Sequence, residues 1–362
     1  MFSFLRRAPN PVNVIRQQVS TLLGDTFVLD DVRVDRGGQA IVVLQLNRES
    51  EDMVSRQQQI ENAVAKIRGI KKVMVIITGD KRPAAVQQKT KTPAPELSGL
   101  PPVVIAVASG KGGVGKSTVA VNLACALSAL GKKVGILDAD IYGPSLPRLL
   151  GVQNQKSEQG ADGRLQPISV HGLKAMSMGF MVDEATAMIW RGPMAQSALL
   201  QMLRDVNWDG LDILVIDMPP GTGDIHLTLA QRVPLSGGVV VSTPQDIALI
   251  DARKGLEMFK KVAVPILGIV ENMSYFCCPN CGHREDIFGH GGARAEAEKI
   301  GVPFLGEIPL HSLIRSTSDA GTPVTLSAIE SEQALAFKQI AERVLSGLTI
   351  AQRPAPMIRI EE

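Results

Sequence analysis

The sequence predicts an α/β protein whose mostly parallel sheet carries helices on both faces, preceded by a small α+β unit. Three observations predict it. From Val103 onward, apolar runs of strand length alternate with helical patterns, the order that builds a covered parallel sheet. The first run, Val103–Ala108, leads through a glycine-rich stretch into a Lys-Ser pair and an Ala- and Leu-rich helix. Ahead of it, Pro83, Pro93, Pro95, Pro101 and Pro102 stand among Lys, Gln, Thr and Ala with no apolar periodicity, the composition of a flexible tether. The expected organisation is a small α+β domain over residues 1–79, a linker over 80–102, the α/β domain over 103–348 and a tail over 349–362.

The front unit reads in order as a helix from Val14, short strands at Phe27–Leu29 and Val32–Val34, and a turn at Arg36–Gln39. A strand over Ala40–Leu46, an amphipathic helix from about Asp52 to Ile67 and a strand over Lys72–Ile77 complete it. In the second part, strands are expected at Lys133–Leu137, Asp212–Asp217, Val239–Thr243, Ile266–Val270 and Phe304–Pro309. Leu165–Val170 and Leu173–Met178 read as a surface hairpin. Ile189–Met194 precedes a helix, with Trp190 and Met194 read as packing residues. Further helices run from Asp246 to about Lys261 and from Glu330 to about Leu348.

Bulk numbers exclude several classes. Of 362 residues 45% are hydrophobic and 4% aromatic, which gives a sizeable aliphatic core. Against 36 acidic residues stand 38 basic ones, so the charge of +2 supplies no single-sign field for nucleic acid or an anionic membrane. No run of 18 apolar residues marks a transmembrane helix, and Met1–Pro9 lacks the apolar core of a signal peptide. Of 4 cysteines, Cys277, Cys278 and Cys281 cluster, which fits ligands in a reducing compartment better than disulfides. Cys125, among Ala and Leu, reads as core. The expected location is the cytosol.

The stretch Gly110-Lys111-Gly112-Gly113-Val114-Gly115-Lys116-Ser117-Thr118 carries the chemistry, and makes the sheet that of a P-loop NTPase. Its glycines let backbone N–H groups converge on phosphate oxygens, and the following helix adds its N-terminal partial charge. Lys116 is placed to reach the terminal phosphates and Ser117 to ligate Mg²⁺, so the predicted ligand is a nucleoside triphosphate, ATP. Asp217 ends an apolar strand in the Walker B pattern and should hold the same ion. Met218–Asp224 follows as a rigid turn suited to sensing the γ-phosphate.

The second lysine, Lys111, makes the loop resemble the deviant phosphate-loop ATPases, the group with MinD, ParA and the nitrogenase iron protein. The resemblance implies that Lys111 acts across a dimer on the partner's nucleotide; the alternative is a solvated loop lysine. It implies that Asp140 orients the attacking water, with Asp138 near the metal shell and Asn272 reading the adenine. Carboxylates at the C-terminal end of a parallel strand independently face the ligand side, while a helix N-cap is the other reading of Asp140.

Cys278 and Cys281 form a Cys-Pro-x-Cys-Gly knuckle that points two thiolates at one metal. Two sulfurs are half of a four-ligand shell, which a two-fold dimer completes. Together with DADIYGPSLP, IDMPPGTGD, STPQD and ENMSYFCCPNCG, this makes residues 102–348 resemble the Mrp-type (ApbC- or NBP-type) iron–sulfur cluster carrier ATPases. The resemblance implies a homodimer bridging a 4Fe–4S cluster, with upstream scaffold proteins, apo-protein clients and no nucleic-acid or membrane partner. The front unit resembles the MIP18-type domain of such proteins, without a thiol in Asn47–Glu51 where many of them carry one. Cys277 reads as a spectator beside the pair, and His283 and His290 as outer donors or solvated loop residues. Alternative readings are an ATPase with structural zinc at the interface, since thiolates bind both metals, and a ParA- or MinD-type positioning ATPase. Against the latter, the C-terminal helix is not a basic amphipathic one.

Overall fold

The structure is a computed structural model that describes residues 11–25, 27–35, 37–46, 53–79, 97, 99–182, 192–221, 223–278 and 280–350. The chain divides into two compact units, residues 1–95 with 183–199, and residues 96–182 with 200–362. Most of the expected linker, Trp190, Asn47–Glu51 and residues 351–362 lie outside the described residues.

The small unit runs α1 (Pro11–Ser20), β1 (Phe27–Val34), β2 (Gln39–Leu46), α2 (Met53–Ala65) and β3 (Lys72–Gly79). β2 is central, antiparallel to β1 and parallel to β3, and α2 makes the crossover that a parallel pair needs. Ile15 and Val19, one helical turn apart, meet Phe27, Val32, Ala40, Val42 and Leu44 in one core with Ile60, Val64 and Val75. The two short strands expected at 27–34 are one strand. Its register shifts between Leu29 and Asp31, where an extra residue restores the inward face despite the polar interruption.

The larger unit begins with β4 (Val103–Ala108), α3 (Lys116–Ala129), β5 (Val134–Asp138) and the single turn α4 (Leu146–Leu149). It continues through β6 (Ile168–Val170), β7 (Leu173–Met176), the second part of α5 (Gly192–Asp205, divided between the units at residue 199), β8 (Ile213–Asp217), α6 (Asp224–Arg232) and β9 (Gly237–Ser242). The last elements are α7 (Asp246–Lys261), β10 (Ile266–Cys277), β11 (Arg284–Glu285), α8 (Gly292–Ile300) and β12 (Phe304–Leu310). Three helices follow β12, namely α9 (Ser312–Asp319), α10 (Val324–Ser327) and α11 (Glu332–Ile350).

The sheet order is β11-β10-β9-β4-β8-β5-β7-β6, with β12 also on β10. All pairs are parallel except β6 with β7 and β10 with β11, at the two edges. β4 sits where successive strands depart to opposite sides, the switch point at which parallel sheets open a ligand crevice. α3 is buried along Val119–Leu127 because α10 and α11 cover it opposite the sheet. Its one buried amide, Asn122, is satisfied by the Thr118 carbonyl and by the N–H and hydroxyl of Thr325.

Two expectations need correcting. The hairpin at 165–178 is no surface appendage: β7 runs parallel beside β5 and buries Leu173, Ala175 and Met176, leaving only β6 as an edge. The strand expected to stop at Val270 runs on to Cys277, twelve residues in all, because β12 and then β11 go on supplying hydrogen bonds. Among the described residues, no helix is long and apolar enough to cross a membrane.

Candidate functional site

The glycine loop occupies the switch point. Gly113 and Gly115 have φ of 83° and 80°, a region that L-residues enter at a cost, so the turn into α3 requires glycine there. Gly110 is required for a different reason. The backbone of Asp251 on α7 stands where a Cβ would go. Val114 points inward and is buried, while Gly112 and Gly113 face solvent.

Lys116 opens α3 and is buried. Its Nζ lies 2.5 Å from Asp217 Oδ1 and 3.2 Å from Ser117 Oγ, so the structure brings together the lysine, the hydroxyl and the Walker B carboxylate. Asp217 ends β8 directly beside Asp138 at the end of β5. Burial drives both carboxyls above their ordinary range. The charge of Asp217 adds to the effect at Asp138, and the Lys116 ammonium opposes it at Asp217. An Asp, Asp, Ser oxygen set suits a hard divalent cation such as Mg²⁺, whose charge would favour the ionised form of both buried carboxyls.

Asp138 also organises the loop after it. Its carboxylate accepts from the N–H groups of Asp140, Ser145 and Leu146 at 3.0–3.1 Å and from Ser177 Oγ at 3.2 Å. Asp138 thus caps the start of α4. The N-cap reading of Asp140 is corrected: its carboxylate takes the Gly143 N–H inside the loop, and no helix starts there. Burial raises the carboxyl of Asp140 too, against the pull of Lys116.

The turn after Asp217 is tied to the loop. Met218 donates to the Val107 carbonyl at 2.9 Å, and Gly221 to that of Ser109 at 3.1 Å. His226, 2% exposed, donates from its ring to the Pro219 carbonyl, while its Nε2 has no partner. Burial pushes its pKa down to about 4. Lys111 is half-buried; its carbonyl accepts from Ser109 Oγ at 2.9 Å, while its ammonium makes no hydrogen bond or ion pair among the described residues.

Asn272 lies under the loop. Its Nδ2 donates to the Val114 carbonyl at 2.8 Å, and the side chain is buried. Next to it Glu271 is fully buried, accepting from Ala293 N–H at 2.6 Å, Gly291 N–H at 3.1 Å and Ser274 Oγ at 2.6 Å, so it anchors the start of α8.

The same strand ends in the cysteines. Cys278 N–H donates to the His283 carbonyl, and Gly282, at φ 72°, donates back to the Cys278 carbonyl, closing a tight turn. The sulfur of Cys278 accepts from the N–H groups of Asn280 and Cys281 and from the Cys281 thiol. These donors hold its thiol below the ordinary value, and they bring the two sulfurs together. Cys277 pairs in the ladder with Arg284. Cys125 is buried, with a pKa pushed up to about 12. His290 sits against Arg284 at 3.0 Å in a surface cluster with Asp286, and His283 is exposed. Glu271, His290 and Glu307 also approach one another, but Glu271 is taken by backbone donors and Glu307 by Arg284 and Arg294.

Sequence reasoning missed Glu271, Ser177 and His226. A charged residue inside an apolar strand is the signal that Glu271 gave. Ser177 caps the turn at Gly179 locally, but its bond to Asp138 and that of His226 to the Pro219 carbonyl follow no sequence pattern.

Comparison with known proteins agrees with this geometry. A family model described as ParA: NUBPL iron-transfer P-loop NTPase matches residues 102–345. The chain is 59% identical over 245 residues to the "Iron-sulfur cluster carrier protein" of Escherichia coli (strain K12), a match covering 68% of this chain and 66% of that one. With the "Iron-sulfur cluster carrier protein" of Haemophilus influenzae it shares 49% over 347 residues, 94% of this chain and 92% of the relative. A solved nucleotide-binding protein from Archaeoglobus fulgidus, in complex with ADP, is 43% identical with a TM-score of 0.55 over 60% of this chain and 86% of its own.

Proposed function

This chain belongs to the NUBPL iron-transfer family of ParA-type P-loop NTPases, and we propose that it is an ATP-hydrolysing iron–sulfur cluster carrier. Two copies hold a 4Fe–4S cluster between them and release it to apo-proteins, after receiving it from scaffold proteins. The observation that carries this reading is β10, one strand with Asn272 under the phosphate loop and the cysteine knuckle at its end.

The chain's residues divide the work. The loop from Gly110 to Thr118 wraps the phosphates, and Lys116 leaves Asp217 to pair with their terminal oxygens. Ser117 and Asp217 would hold Mg²⁺, with Asp138 adjacent, and that ion would neutralise phosphate charge. Asp140 orients the attacking water. Asn272 reads the base while holding Val114. The Lys111 ammonium, without a partner in its own chain among the described residues, reaches the second copy's nucleotide.

The dimer has two supports. Cys278 and Cys281 are two donors where a thiolate shell takes four. Exposed apolar side chains also stand on the loops and first helical turns that follow the C-terminal ends of strands, on the edge carrying the phosphate loop. They are Tyr142 after β5, Leu227 after β8, Ile247 and Ile250 after β9. The near-neutral charge and clustered thiols favour the cytosol.

Anaerobic reconstitution with iron and sulfide tests the reading. Sulfur-to-iron charge-transfer absorbance should appear with about one cluster per two chains, and vanish in Cys278→Ala or Cys281→Ala. Colourless protein with stoichiometric zinc overturns it.

A further inference from the structure

β10 is clamped on both sides of one strained residue. Toward the nucleotide loop, Asn272 Nδ2 holds the Val114 carbonyl at 2.8 Å, and Glu271 is fixed by the N–H groups of Gly291 and Ala293. Toward the cysteines, Phe276 and Cys277 pair with Glu285 and Arg284, and Cys278 N–H meets the His283 carbonyl at 2.9 Å. Between the clamps stands Met273 at φ 54°, in the left-handed region and with a full side chain. The pairing of β10 with β12 loses its register between Asn272 and Phe276, so the ladder does not bridge the kink. Met273 Cε lies 3.6 Å from the place a Cβ of Gly115 would take, against the turn that ends the phosphate loop.

We propose that Met273 is a strained joint through which the pose of the phosphate loop sets the presentation of Cys278 and Cys281, a regulation that rests on the carrier reading above. A non-glycine residue stays left-handed only where its surroundings over-determine it. Here the surroundings are Asn272 on the Val114 carbonyl, the Gly115 turn and the Glu271 clamp. A nucleotide drawn into the loop acts on Val114 and Gly115 directly, and so on two of those three constraints. From Asn272 to Cys278 is six residues, roughly 20 Å of extended chain. A change of φ at Met273 therefore swings the whole knuckle. Linkage makes the coupling reciprocal for equilibrium binding: whatever factor the nucleotide applies to metal affinity at the two thiols, metal on the thiols applies to nucleotide affinity.

The test uses the full chain, cluster-free, reduced and anaerobic. Iodoacetamide labelling of each cysteine is followed by peptide mass spectrometry, with and without a non-hydrolysable ATP analogue and Mg²⁺. Buried Cys125 reports any unfolding. In the wild type the analogue should change the labelling rates of Cys278 and Cys281 by about fivefold or more. Met273→Gly, free in the left-handed region, should bind the analogue within about threefold of wild type yet lose that response, while Met273→Leu keeps it. A Met273→Gly chain that responds like wild type overturns the proposal. A second measurement needs no variant: Cd²⁺ bound reversibly at the wild-type knuckle should shift analogue affinity, and an unchanged affinity overturns the joint as well. Wild-type thiols that ignore a bound analogue refute the joint while the iron-loading result leaves the carrier standing. Failure to bind nucleotide refutes both.

Discussion

Lys116 is held by Asp217 and Ser117, so a cation that reaches phosphate is already desolvated and aimed. Replacing it by alanine strands a buried carboxylate as well as removing the phosphate contact. Lys116→Ala should lower nucleotide turnover by about a hundredfold or more while leaving iron loading at the knuckle largely intact, measured by phosphate release and iron content. His226 makes a different prediction. Its folded pKa of about 4 lies below the ordinary imidazole value of 6.5, so the unfolded chain binds more protons between these values. Stability that His226 leaves intact above pH 6.5 is lost as pH falls toward 4, by up to about 3 kcal/mol. His226→Gln preserves a donor for Pro219 without the titration, and urea melts at pH 7.5 and 5 should show a smaller acid loss than wild type. The glycine loop with Lys116 and Ser117 was legible because its pattern is local: glycines, lysine and serine adjacent in sequence. His226 was not, since its burial depends on the turn at Pro219 folding back over it.

At the scale of elements, the strand–loop–helix at 103–129 was readable, because each piece has its own period and the glycines fall between them. β10 was cut short in the reading for an equally physical cause. Beyond Val270 the run turns polar, with Glu271, Asn272 and Ser274, and the partners that keep it extended come from residues 284–285 and 304–310. Tertiary pairing overrode local composition. The same geometry makes Gly115 intolerant of a side chain: φ is 80°, and Asn272 Nδ2 stands where the Cβ would go. Gly115→Ala should cost about 1–2 kcal/mol in backbone strain alone and weaken nucleotide binding by about tenfold or more. Titration calorimetry with ADP checks it, and unchanged affinity would mean that the loop does not need the Val114–Asn272 tie.

For the whole molecule, the question is whether one chain is a complete machine. Each copy offers two converged thiols and a Lys111 ammonium that pairs with nothing in its own chain among the described residues, whereas Lys116 is committed to its own Asp217. If Lys111 serves the partner's nucleotide and Lys116 its own, the two lysines should complement across subunits. A Lys111→Ala chain and a Lys116→Ala chain are each inactive as homodimers. In the mixed dimer, the Lys111→Ala copy keeps its own Lys116 and receives Lys111 from its neighbour, so one site is whole and the other has lost both lysines. Random pairing makes half of the dimers mixed, each with one working site, so an equimolar mixture should recover about a quarter of wild-type phosphate release. If Lys111 works within its own chain, every site in the mixture lacks one lysine and no activity returns. The mixture therefore separates a shared site from two independent ones by rate alone, without iron in the assay, and so tests the paired architecture apart from the cargo it is proposed to hold.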